Sequence, residues 1–135
     1  MARAQRIKCF KIALEDKPGA LLAVTKELKS KNLNYLGLSG WATQGGQAEI
    51  YVVARNPDKL RELWKPSGRI LHEGTGFLVK GADKTGALIK TLESLASGGI
   101  NITAIDAIAV AGTYGVLIWV ADQEVEKAAE ALGSN

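Results

Sequence analysis

Two six-residue stretches constrain this chain more than any other feature. It reads DKPGAL at Asp16–Leu21 and DKTGAL at Asp83–Leu88, 67 residues later. Sliding the sequence against itself by 67 extends the match without a gap. Phe10 falls on Phe77, Leu28 on Leu95, Ser30 on Ser97 and Asn34 on Asn101. Ala42, Gly45, Val53 and Ala54 fall on Ala109, Gly112, Val120 and Ala121. A chain of 135 residues therefore holds two copies of one small unit. Two copies are too few for a solenoid, which needs at least three, so two small tandem domains are expected, 1–72 and 73–135.

Local patterning gives the unit its element order. KCFKIAL at Lys8–Leu14 puts Phe10, Ile12 and Leu14 on one face at period two, which predicts a strand. PGALLAVTKELKSK at Pro18–Lys31 has Leu21, Val24, Thr25 and Leu28 at helical spacing. Leu33–Thr43 reads as a strand, the Gln44–Gln47 segment QGGQ as a turn, and Ala48–Arg55 as a strand. Asn56 followed by Pro57 suits an N-cap and first helical position, with the helix ending near Trp64. Arg69–His72 is a short fourth strand.

The second copy repeats the order. It predicts a strand at Gly76–Lys80, a helix at Gly86–Ser97 with Leu88, Leu92 and Leu95 inward, and strands at Ile100–Val110 and Tyr114–Ala121. A helix at Gln123–Leu132 follows. The fold class is α+β: two tandem ferredoxin-like βαββαβ units with antiparallel sheets. The fourth strand of the second copy is short or missing, since only three residues follow Leu132. The bare edge of Gly76–Lys80 then needs a cover: the Arg69–His72 segment, the N-terminal residues or a partner chain. Ile100–Val110 is apolar on both faces, so packing between units or dimerisation is expected to bury it.

Composition narrows the function. The single Cys9 and single His72 supply neither an internal disulfide nor a Cys/His zinc set. No apolar run approaches a membrane span of roughly 20 residues, and no signal peptide is read at the N-terminus. A cytoplasmic setting is the expectation. Charge is uneven: up to Gly68 there are 12 Lys+Arg against 6 Asp+Glu, and from Arg69 onward 5 against 8. Opposite halves of this kind attract, within a chain or between chains. Basic residues are interleaved with acids rather than clustered, which disfavours nucleic acid. The third-strand segments AEIYVVA and GVLIWVA also lack the aromatic pattern of RNA-recognition motifs. No G-x-S-x-G, no Walker loop and no paired nucleophile and base are found, so no enzyme is expected and no cofactor or metal.

On these residues the chain resembles a tandem ACT domain protein. The resemblance rests on the D-x-P-G-x-L turn, the βαββαβ order, and the starts Asn34-Tyr35-Leu36 and Asn101-Ile102-Thr103 of the second strand in each copy. It covers nearly the whole chain, twice. Thr85 departs from the proline seen at Pro18. ACT domains are regulatory modules that bind small molecules, most often amino acids, at interfaces between domains. The resemblance implies a stand-alone regulatory module, a homodimer and a metabolic enzyme as partner. It implies ligand contacts at Asp16, Lys17, Pro18, Gly19, Ala20, Leu21, Asn34, Tyr35 and Leu36. In the second copy it implies Asp83, Lys84, Thr85, Gly86, Ala87, Leu88, Asn101 and Ile102.

The chemistry agrees in type. A helix N-terminus offers unpaired N–H groups to a carboxylate, and glycine lets the backbone approach closely. Asp16 or Asp83 could accept from an ammonium group, and Asn34 or Asn101 offers both donor and acceptor. The bland roles stand beside these: Asx turns or helix caps for the aspartates, backbone freedom for Gly19 and Gly86, solvation for Lys17 and Lys84. The alternative function is a pure interaction subunit of a metabolic enzyme, with no ligand of its own.

Overall fold

A computed structural model describes residues 3–134. Met1, Ala2 and Asn135, at the ends of the two expected units, lie outside the described residues. The elements in order are β1 (Arg3–Glu15), α1 (Ala20–Ser30), β2 (Tyr35–Ala42), β3 (Gln47–Ala54), α2 (Pro57–Trp64) and β4 (Ile70–Ala82). They continue with α3 (Ile89–Ser97), β5 (Ala104–Val110), β6 (Thr113–Trp119), a 3-10 turn at Asp122–Glu124 and α4 (Val125–Leu132). The α+β class and the duplicated βαββαβ order are those expected.

The chain divides into two compact units, and the boundary is not a single cut. One unit is Lys8–Gly74; the other is residues 3–7 together with 75–134. Strand neighbours run β2-β3-β1-β4 in the first unit and β1-β4-β6-β5 in the second. Both are the ferredoxin-like order, with the unit's own first and third strands in the centre. The division at residue 72 expected from the repeat misses this exchange. Two 13-residue strands, β1 and β4, each serve both units.

That exchange supplies the fourth strand that the second copy lacks. β1 lies beside β4, and its residues 3–7 belong to the second unit, where Ala4 packs on the core. The N-terminal residues, one of three expected covers, therefore protect the edge of β4. In the first unit the fourth strand is the start of β4, with Ile70 packed on that core. Arg69–His72 and Gly76–Lys80, expected as separate strands, fall in one continuous strand apart from Arg69, which precedes it. Gly74 and Gly76 do not take positive φ, so they make no turn there.

The first core is built from Phe10, Ile12, Val24, Leu28, Val52 and Trp64, all close to fully buried. Period two on β1 and helical spacing on α1 aim these residues at one another. Asn56 caps α2 as expected: its Oδ1 accepts the Lys59 N–H at 3.2 Å, with Pro57 in the first turn. Trp64 donates its indole N–H to Glu27 at 2.9 Å, giving the buried ring's polar edge a partner.

The second core uses the matching positions Phe77, Val79, Leu95, Val116 and Ile118, closed by Ala128 and Ala129 of α4. One apolar expectation fails here. Leu92 is exposed and Thr91 is buried in its place, and α3 begins at Ile89 rather than near Gly86. β5 is not covered on both faces by its own chain: Ile105, Ile108 and Val110 are 41%, 69% and 64% exposed. No helix among the described residues is long and apolar enough to cross a membrane.

Candidate functional site

Both repeated turns are built the same way. The Asp16 N–H donates to the Gly46 carbonyl at 2.9 Å, and the Asp83 N–H donates to the Gly112 carbonyl at 2.9 Å. Each turn is thus tied to the tip of its unit's β-hairpin. Gly19 and Gly86 both take positive φ, 88° and 77°, a region that strains other residues. The glycine is needed for the turn in both copies, whatever else it does. Neither aspartate caps its helix through the side chain.

The copies then diverge. In the first, α1 starts at Ala20, directly after Gly19. Lys17 folds back on Glu15, with Nζ 2.8 Å from the carboxylate. This hydrogen bond lowers the Glu15 pKa and raises that of Lys17 from their ordinary values. Both side chains are well exposed, so the pair adds little stability. Pro18 completes the turn, and Ala20 and Leu21 open α1, with Leu21 exposed. Asn34 is exposed and its Oδ1 accepts the Tyr35 N–H at 2.8 Å, a strand-start contact. Tyr35 packs against the first core and Leu36 is half-buried.

In the second copy the turn runs two residues longer before α3. The Ala87 N–H donates to the Lys84 carbonyl at 3.0 Å and the Ile89 N–H to the Gly86 carbonyl at 3.1 Å. This widened turn forms one wall of a cavity of about 580 Å³, within the second unit. Lys84, Thr85, Gly86 and Ala87 line it. Asp83, Leu88, Asn101 and Ile102 do not; Leu88 and Ile102 pack on the core instead.

Residues that the repeat did not single out complete the walls. Lys90, Thr91 and Ser94 come from α3, and Glu130 from α4. Tyr114 comes from β6 and donates its hydroxyl to the Ala87 carbonyl at 3.3 Å. Gly81 stands opposite Tyr114 in the β4–β6 ladder. A Cβ on Gly81 would lie 2.9 Å from the Tyr114 ring, so the missing side chain is what lets the ring sit there. Sequence held one signal for this wall: a threonine and a lysine near the inward stripe of α3. Nothing local linked α4 to the turn.

The cavity carries two ammonium groups, Lys84 and Lys90, one carboxylate, Glu130, and four hydroxyls, Thr85, Thr91, Ser94 and Tyr114. Ala4, Val79 and Leu132 add apolar surface. Such a site can hold a small molecule bearing both charge signs.

Comparison with known proteins follows the same lines. No protein-family model matches the chain. Protein BT0572 from Bacteroides thetaiotaomicron superposes with a TM-score of 0.76 at 26% identity, covering 96% of this chain and 88% of that one. The regulatory subunit of aspartate kinase from Thermus thermophilus superposes with a TM-score of 0.64 at 16% identity, covering 98% and 94%. Among curated proteins, the PKS-NRPS hybrid synthetase psoA of Aspergillus fumigatus is 35% identical over 71 residues, 45% of this chain. The chain spans about 2% of that synthetase's length. With its paired βαββαβ units and duplicated glycine turn, the chain has the tandem ACT fold, shared with the regulatory subunits of aspartate kinase.

Proposed function

We propose that the chain is a non-catalytic regulatory module that binds an amino acid in the cavity at its second turn. The observation that carries this is the convergence of Lys84, Lys90 and Glu130 with the turn backbone around about 580 Å³. An amino acid presents a carboxylate and an ammonium group on one carbon. The lysines suit the first and Glu130 the second, while the side chain meets Ala4, Val79 and Leu132. The volume fits the ~300–1,000 Å³ typical of small-ligand sites. The regulatory subunits of aspartate kinase share the fold, and E. coli aspartokinase III, a protein of similar fold, has been crystallised in complex with aspartate and ADP. A cytoplasmic homodimer serving a metabolic enzyme fits the reading.

The test is a thermal-shift panel of the twenty amino acids at millimolar concentration. A ligand at about 100 times its dissociation constant adds roughly 2.7 kcal/mol to native stability. One or two amino acids should raise the melting temperature by several degrees, and Glu130→Gln should abolish the response. A flat panel would sink the reading.

A pure docking subunit is the second reading, and one observation favours it. Ile108 and Val110, on one face of the edge strand β5, are exposed together. Apolar residues grouped on a strand edge suit a protein partner.

A further inference from the structure

We infer that the second unit carries an anion site, separate from the turn cavity, that takes the phosphate group of a small molecule. A second cavity of about 410 Å³ lies against the N-terminal part of β1. Arg3, Ala4, Gln5 and Arg6 line it from β1, Leu78 and Lys80 from β4, and Ser134 follows α4; Ala4 is the one residue it shares with the turn cavity. Three of its wall residues are cationic and none is a carboxylate. The volume is within the ~300–1,000 Å³ range of small-ligand sites, so it accommodates more than a bare ion.

The donors are specific. Arg6 donates through Nη1 and Nη2 to Glu126 at 2.7 and 3.2 Å. That ion pair orients the guanidinium and occupies one edge of its fork. The Nε on the other side is buried and has no hydrogen-bond partner, and the Ser134 hydroxyl is in the same condition. Buried donors left unpaired cost about 1–3 kcal/mol each. Such groups are rare in native proteins and call for a physical account. Arg6 and Ser134 both line the cavity, so an anion drawn there by Arg3 and Lys80 would offer these donors an acceptor once a small side-chain shift uncovers them. A phosphate presents several acceptor oxygens and about two negative charges, matching this donor count better than a single carboxylate does.

Phosphate chemistry reaches the site from two sources, inorganic phosphate or a phosphorylated metabolite. Isothermal titration of the full chain with sodium phosphate and with AMP, each against sodium chloride of matched ionic strength, tests both. Binding by either probe supports the site; at least tenfold tighter binding of AMP assigns it to a phosphorylated metabolite, and equal affinity assigns it to the free ion. The Arg3→Gln/Lys80→Gln variant should bind at least tenfold more weakly while keeping its melting temperature and its amino-acid response. The Arg6 Nε–H proton resonance should shift on titration, which a diffuse surface charge effect would not produce. Heats no larger than those of sodium chloride, or undiminished binding in the double variant, would overturn the inference.

Discussion

Gly81 and Tyr114 face each other across the β4–β6 ladder, and the phenol reaches from there to the Ala87 carbonyl of the second turn. The corresponding pair in the first unit is Leu14 and Ala48. Large and small have changed strands between the copies. In the first unit an apolar side chain from the first strand enters the core. In the second, the space goes to an aromatic ring that holds the turn and walls the cavity. The two units share a fold but not this local chemistry, which is why the second turn is the proposed binding copy.

Gly81→Ala is therefore expected to destabilise the protein, because its Cβ meets the Tyr114 ring at 2.9 Å. Overpacking of this kind costs about 1–3 kcal/mol. Denaturant unfolding of Gly81→Ala, Tyr114→Ala and the double variant checks it. The double variant should lose less than the sum of the singles, since the clash needs both groups. Additive losses would show that the ring does not sit over the glycine.

Removing residues 1–7 should loosen the second unit and spare the first. Residues 3–7 stand beside β4, and Ala4 packs on the second core. Without them β4 has an open edge. Hydrogen exchange should speed up at the amides of residues 76–82 and in α4, while α1 and α2 keep their protection. Equal acceleration throughout the chain would contradict this division.

The Arg61–Glu73 pair should make stability pH-dependent. Arg61 donates to Glu73 through Nε at 2.7 Å and Nη2 at 2.6 Å, and its Nη1 reaches Asp58 at 2.9 Å. The hydrogen bonds from Arg61 lower the Glu73 pKa below its ordinary 4.5. A depressed folded-state value gives stability that is present above pH 4.5 and lost as pH falls through the folded value. Glu73→Gln should melt below the wild type at pH 7, and the gap should close as the pH is taken below the carboxylate range. A gap unchanged at low pH would assign the loss to packing.

Asn56→Ala should remove one helix cap with little else. The Asn56 side chain accepts the Lys59 N–H and is otherwise exposed. Losing such a cap costs about 1 kcal/mol, which lowers the melting temperature by about 3–5 °C in a chain of this size. Asn56→Asp should hold most of it, because aspartate caps comparably. Equal loss in both would point to the backbone rather than the cap.

The sequence by itself determined whatever depends on near neighbours. The period-two pattern of Phe10, Ile12 and Leu14, the Asn56-Pro57 helix start and the QGGQ turn with its positive-φ Gly45 and Gly46 act over a few residues, and each is found where the pattern puts it. The 67-residue repeat carried the same reading to the second copy. Tertiary structure alone decided the rest. The stretches on either side of Gly74 read locally as two separate strands, yet β4 runs extended through Gly74 and Gly76. Residues 3–7 look like the start of the first unit, but the edge they satisfy belongs to a strand some 70 residues further on. The turn cavity joins Lys84 and Thr85 to Glu130, across a helix and a hairpin. Contacts of that range are selected by which edges and faces remain to be covered once the local elements exist. No window of sequence contains that information.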